Sequence, residues 1–195
     1  MLVYEKNDQQ DKDKIIKDSG NKEKRAKKYK KKSPMEYPQI FLFHALIVVT
    51  VLWFMFGFSF GFMLAPNYDM SPSIEFGDLC LYYRLNKSYK SQDIVILRKN
   101  ETTYMARVVA AGGDTVDITD DERLLINGNS VVERTIFYRT PRYEGFVEYP
   151  VKLEPDNYFV LVDSRLSGED SRYYGTVSKK EILGKVVAVA QWNNL

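Results

Sequence analysis

The stretch NYDMSPSIEFGDLCLYYRL, residues 67–85, stands between two different kinds of sequence. Before it runs an uninterrupted apolar segment; after it come short apolar runs separated by turn residues. Those runs are DLCLYYRL, DIVILR, TTYMARVVAA, DTVDI, RLLING, SVVERTIFYR, YFVLVD and GKVVAVAQW. They have strand lengths and are rich in Val, Ile and Tyr, which predicts a mainly β fold, a largely antiparallel β domain of sandwich or barrel type over residues 66–195. RLLINGNSVV is the strongest local signal, because Asn127-Gly128 suits a type I′ hairpin turn. SKKEIL, from Ser178, has the Ser-x-x-Glu form of a capping box and predicts one short helix.

Upstream, IFLFHALIVVTVLWFMFGFSFGFML, Ile40 to Leu64, contains no Asp, Glu, Lys or Arg. As a helix it reaches about 37 Å, enough to cross a hydrocarbon core of roughly 30 Å with some tilt. The phenylalanines at 54, 56, 58, 60 and 62 alternate as in a strand, but an isolated strand in lipid leaves its backbone unpaired. A membrane helix over 37–65 is therefore the expectation. A cleaved signal peptide has a shorter apolar core and a small-x-small cleavage site, a pattern that GFMLAPN matches poorly. Gly57 and Gly61 have the G-x-x-x-G spacing that supports helix association. Residues 1–36 are charged and poor in large apolar side chains, so a mostly disordered tail is expected, with DKDKIIKD a marginal helix. The basic KEKRAKKYKKK before the helix, set against the uncharged APNY after it, places the N-terminus in the cytoplasm and the C-terminal domain outside.

The formal net charge of +2 is too small to point to nucleic acid, and the basic residues gather at one end. Cys80 is the only cysteine and His44, inside the apolar run, the only histidine. An intrachain disulfide, a cysteine metal cluster, a Ser-His-Asp triad and a histidine zinc site are excluded by inventory, and no cofactor or metal is expected. Cys80, between two leucines, reads as a buried thiol.

The anchor followed by DMSPSIEFGDLCLYYRL, DIVIL, YMARVVAAGGDTVDI, LLINGNSV, VLVDSRLSGEDSRYYGTV and EILGKVVAV, in that order, resembles the type I signal peptidase family from about Tyr37 onward. The resemblance implies cleavage of signal peptides outside the membrane by a Ser-Lys dyad, in which a neutral lysine takes the proton of the serine hydroxyl. Such a lysine needs a pKa lowered by apolar burial. The family's Ser-Met-x-Pro-Thr motif falls on Asp69, Met70, Ser71, Pro72 and Ser73, which puts Asp69 at the nucleophile position. Its Tyr-x-Lys-Arg segment falls on Tyr104, Met105, Ala106 and Arg107, which puts Ala106 at the base position. The serine that orients the lysine in many relatives falls on Gly168. Gly77, Asp78, Arg107, Gly113, Asp114, Asp163, Asp170, Arg172 and Gly175 match, and the resemblance implies buried charge pairs among Arg107, Asp163, Asp170 and Arg172. A matching framework with both halves of the dyad replaced is the pattern of a pseudoenzyme.

Other chemistry at these positions lacks parts. Ser71, on a segment expected to be extended, shares a face with Asp69 at roughly 6–7 Å and would still need a base. Asp69 as half of an aspartic-protease pair needs a second carboxylate about 3 Å away, with Glu75 and Asp78 the nearest in sequence. Lys99 and Lys185 lie in other motifs. The competing reading is an active signal peptidase of unusual chemistry.

In the active relatives an extended substrate lies against sheet edges beside the dyad, here APNYDM and TTYMAR. Strand addition gives Pro66, Asp69, Met70, Ile74, Tyr104 and Met105 as a peptide-binding groove, with core packing the alternative for Met70, Ile74 and Met105. Asp69, without the family's lysine, is suited to a basic group on a partner. The aromatic stretch Thr135 to Pro150 is a second candidate contact surface, against a hairpin packed on its own sheet. Signal-peptidase-like proteins without the dyad occur in Gram-positive pilus loci as accessory factors or chaperones for sortase-linked pili. The resemblance, including Asp at the serine position, implies pilin precursors, sortase or other pilus assembly proteins as partners.

Overall fold

The apolar run folds as helix α1, Glu36–Ser59, of which Pro38–Ser59 is long and apolar enough to cross a membrane. Apolar side chains are exposed all round it from Phe41 to Phe58, as for a helix whose solvent is lipid. Two of its polar side chains bond within the helix, His44 Nδ1 on the Ile40 carbonyl and Thr50 Oγ1 on that of Leu46. The computed structural model describes residues 36–191 except 134, 135, 137 and 144, so the expected tail and its DKDKIIKD helix lie outside the described residues. The chain divides into two units at residues 52 and 53.

The expectation of one helix to Leu64 is corrected. Phe60–Leu64 is strand β1, paired antiparallel with β2, Leu79–Tyr83, from Phe60 opposite Tyr83 to Leu64 opposite Leu79. The strand-like alternation was genuine at this end, because β2 supplies the backbone partners that an isolated strand lacks. Gly61 therefore belongs to a strand, and its G-x-x-x-G spacing with Gly57 is not a helical pair. The Tyr82 ring lies over Gly61, where a Cβ would come within 2.3 Å of Tyr82 Cζ.

Beyond β2 the chain forms β3, Ile94–Lys99; β4, Thr102–Ala111; β5, Thr115–Ile118; β6, Leu124–Ile126; β7, Asn129–Ser130; β8, Val151–Lys152; and β9, Asn157–Leu161. A four-residue helix α2, Ser171–Tyr174, then β10, Val177–Ser178, and β11, Ile182–Ala190, complete it. One sheet has the order β1-β2-β11-β3-β4-β9-β10 and a smaller one β7-β6-β5-β8. The pairings are antiparallel, as the alternation of the runs predicts. Asn127 (φ 52°) and Gly128 (φ 78°) form the expected primed turn between β6 and β7. Of the run SVVERTIFYR, β7 stops at Ser130 and residues 131–133 are not in a strand, with Val132 exposed; residues 134, 135 and 137 lie outside the described residues.

The helix expected at Ser178 is also corrected. Half of the capping box forms, with the Ser178 N–H donating to Glu181 Oε2 at 2.7 Å, but it closes a turn from β10 into β11. The alternating ILGKVVAVA then continues as a strand between β2 and β3. The short helix sits earlier, where Asp170 caps α2 by accepting from the Arg172 N–H.

Candidate functional site

The segment bearing Asp69 is a chain of turns, not the extended strand expected. Ser71 N–H donates to the Tyr68 carbonyl at 3.0 Å and Ile74 N–H to that of Met70 at 2.9 Å. Ala65 and Asp78 clamp its ends through a 2.9 Å backbone bond, and Gly77 takes the positive φ of 86° that closes the loop. Ser71 Oγ is engaged by Glu75 Oε1 at 2.9 Å. Turning the chain this way drives Met70 and Ile74 inward, 2% and 1% exposed, into a core with Met105 (5%), Cys80, Ile96 and Val162. Met70, Ile74 and Met105 are core side chains and leave the expected groove. Cys80 is buried, and burial with the Asp78 charge pushes its thiol up to about 11.

Asp69 remains at the surface, half-buried. Its main chain is tied to the loop after β9, accepting from the Ser164 N–H at 2.8 Å. Its Oδ2 accepts from Asn67 Nδ2 at 2.6 Å, and its own N–H donates to Asn67 Oδ1. The carboxyl presses on Gly168, where an added Cβ would lie 2.8 Å from Asp69 Cγ and Oδ1, closer than real contacts allow. Gly168 also has φ 89°, so the backbone itself favours glycine. Burial holds the Asp69 pKa above its ordinary value; the Asn67 bond opposes this, and the charges of Asp170 and Glu169 add to it. Both of those carboxylates are engaged elsewhere, Asp170 by Arg172 and Glu169 by the Tyr104 hydroxyl at 2.9 Å. The proton-sharing carboxyl pair of an aspartic protease is not formed here.

Ala106 lies in the middle of β4, opposite Val95, fully buried among Leu97, Val108 and Val160. Its methyl offers no proton acceptor. Tyr104, two residues earlier on the same face, is half-buried and packs 5.1 Å from Tyr174, whose hydroxyl is buried without a partner and strongly shifted up by that burial. Lys99 pairs with Glu181 and Lys185 with Asp93, at 3.0 and 2.7 Å, so each already has a carboxylate.

The expected charge pairs are present. Arg107 grips Asp163 with two bonds, of 2.7 and 2.5 Å, and also reaches Ser73 Oγ and the Gln92 carbonyl. Burial opposes the Arg107 charge, but the Asp163 bonds and field outweigh it and raise its pKa. Arg172 and Asp170 are wholly buried, 2.8 Å apart, with the guanidinium 4.3 Å over the Tyr143 ring. Sequence reasoning missed a third pair, fully buried Arg165 on Glu133 at 2.7 Å, although Arg165 stands in the same motif. It also missed Asn67 and Glu169, which set the surroundings of Asp69 and Tyr104.

The Thr135–Pro150 stretch is divided. Tyr149 packs on Phe159 and Tyr143 on Arg172, whereas Phe146 is exposed and stacks 4.4 Å from Tyr173; residues 135, 137 and 144 lie outside the described set.

A family model described as signal peptidase, peptidase S26, matches residues 37–192. The chain belongs to the signal peptidase family. It is 29% identical over 168 residues to "Signal peptidase I S" of Bacillus subtilis (strain 168), covering 80% of this chain and 88% of that protein. "Signal peptidase I" of Bacillus licheniformis is 31% identical over 153 residues, covering 72% and 82%. "Inactive signal peptidase IA" of Staphylococcus aureus (strain COL) is 23% identical over 155 residues, covering 75% and 87%. The family thus includes a member named as inactive. One N-terminal apolar helix fits the single-pass anchor of a bacterial signal peptidase.

Proposed function

We propose that this signal peptidase family member is a membrane-anchored, non-catalytic protein that acts as an accessory factor or chaperone in pilus assembly, binding pilin precursors or sortase. The observation that supports the non-catalytic part of this reading is the contact between Asp69 and Gly168, while the pilus role rests on the resemblance. At the nucleophile position a carboxyl fills the room beside residue 168, and at the base position the Ala106 methyl is sealed in the core. A carboxyl offers no hydroxyl to be activated and a methyl has no lone pair to take a proton, so the two do not make a Ser-Lys dyad. The basic tail orients the β domain to the outside of the cell membrane.

What remains at the surface suits recognition. Pro66 and Glu169 are exposed, and Asp69 and Tyr104 are half-buried. Two exposed aromatic pairs, Tyr68 with Phe76 and Phe146 with Tyr173, provide the kind of side chain that anchors interfaces. The charges that act on Asp69 are acidic, so a lysine or arginine on a bound segment would be drawn to it.

Incubating the full chain, in lipid nanodiscs, with a pilin precursor tests the reading. The precursor is expected to be retained uncleaved, and Asp69→Ala to weaken retention. Site-specific cleavage that Asp69→Ala abolishes would overturn the reading in favour of an active peptidase.

A further inference from the structure

We propose that a groove of about 580 Å³ beside β1 binds one acyl chain of an anionic phospholipid, with the lipid phosphate on Arg84. The groove lies entirely within the unit that begins at Trp53, and its volume is within the roughly 300–1,000 Å³ of small-molecule sites. Its walls are Trp53, Phe56 and Phe60, with Gly61 lining it beneath the Tyr82 ring, and Gly57 leaves it open. Nothing lies within 4 Å of a Cβ placed at Gly57. Phe56 stacks 5.9 Å from Phe60 across the change from helix to strand, so the two aromatics form one continuous wall.

Two observations name the occupant. The walls belong to the apolar run that ends the membrane-crossing helix, and tryptophan favours that headgroup level. The single charged lining residue is Arg84, whose backbone N–H is fixed to the Ser59 carbonyl at 2.8 Å and whose Nη2 reaches the Tyr82 hydroxyl at 3.3 Å. No carboxylate among the described residues pairs with it. An exposed guanidinium at the end of an apolar trough matches a phosphate ester above a hydrocarbon chain, and its planar donors suit phosphate oxygens.

The test uses the full chain with Trp192→Phe, which leaves Trp53 as the only tryptophan. Trp53 fluorescence is measured in nanodiscs containing equal fractions of acyl-brominated phosphatidylglycerol or phosphatidylcholine. Phosphatidylglycerol is expected to quench with about a fivefold preference, the effect of one cation near an anionic surface. Arg84→Gln should remove the preference and Arg84→Lys retain most of it, while Gly57→Leu, filling the trough, should remove it with Arg84 intact. Equal quenching by the two lipids in the otherwise native chain, or a preference that survives Arg84→Gln or Gly57→Leu, would overturn the proposal. Quenching that vanishes as more chains are loaded per disc would identify a second copy as the occupant and overturn it equally.

Discussion

Around the end of β9 the molecule treats charge in two opposite ways. Arg107, Arg165 and Arg172 are buried, and each has a carboxylate partner together with carbonyl or hydroxyl acceptors for its remaining donors. A few residues away Asp69 is a half-dried carboxyl held by one amide, with Glu169 and Asp170 adding to the negative field. A buried charge without its partner is destabilising, so the first set is required by the fold itself. The second arrangement is tolerated because water still reaches it. Scaffold and chemistry are thus separable: the charge network that shapes the loop bearing Gly168 does not depend on there being a nucleophile or a base beside it.

The largest effects should fall on the first set. Arg172→Ala would leave Asp170 buried without its cation and strip the Arg165 carbonyl of its donor; a loss of about 3–5 kcal/mol in denaturant unfolding is expected. A loss below about 1 kcal/mol, the range of a surface pair, would break the contrast between the two regions. Next comes Ala106→Lys, which forces a long side chain and an ammonium among Val95, Leu97 and Val108. The expected cost is about 3 kcal/mol, from overpacking and an unmatched charge. Unchanged stability would show that room for the base persists, and that the two regions differ less than their packing indicates.

Most of the longer strands after β1 were legible in the sequence because their runs combine strand length with Val, Ile and Tyr, and the hairpin because Asn127-Gly128 has few other solutions; the two-residue strands β8 and β10 carried no such signal. The end of the membrane helix was not. Phe60–Leu64 is as apolar as the residues before it, and only pairing with β2, a contact made across the turns of residues 65–78, decides that it is a strand. Those turns hid the fate of Met70 and Ile74 in the same way: an extended reading left them on a groove, whereas the turn places them in the core. Ser178–Glu181 shows that one capping signal serves a turn when the following residues alternate with period two. At the site, the identities of Asp69, Ala106 and Gly168 were readable by resemblance. The contact of Asp69 with Gly168 needed coordinates, since the two lie about 100 residues apart in the chain.

That contact supports a smaller and sharper test. Gly168→Ser should cost about 1–3 kcal/mol, from crowding against Asp69 and from the positive φ. In an Asp69→Ser background the crowding disappears while the backbone strain stays. A double-mutant cycle read by denaturant unfolding should therefore give a coupling of about 1 kcal/mol. Additive losses would mean that Gly168 is required by its backbone alone, and that the carboxyl does not occupy the missing side chain's room.

The smallest effect concerns the proton on Asp69. Its folded pKa is raised above the ordinary 3.8, chiefly by burial, so the native state binds this proton more tightly than the unfolded chain does. The stability it contributes is fully present below the unfolded value and is lost as pH rises through the folded one. Asp69→Asn removes that titration and leaves every other carboxyl in place, so the difference between variant and native chains isolates it. The variant should gain relative stability as pH rises from the acid range towards neutrality, by less than about 1 kcal/mol given solvent screening. Stability differences measured from pH 3 to 7 in denaturant would reveal this slope. A slope of opposite sign would mean that a cation stabilises the carboxylate in the folded chain, which would make Asp69 resemble the paired acids beside it and erase the distinction between the two regions.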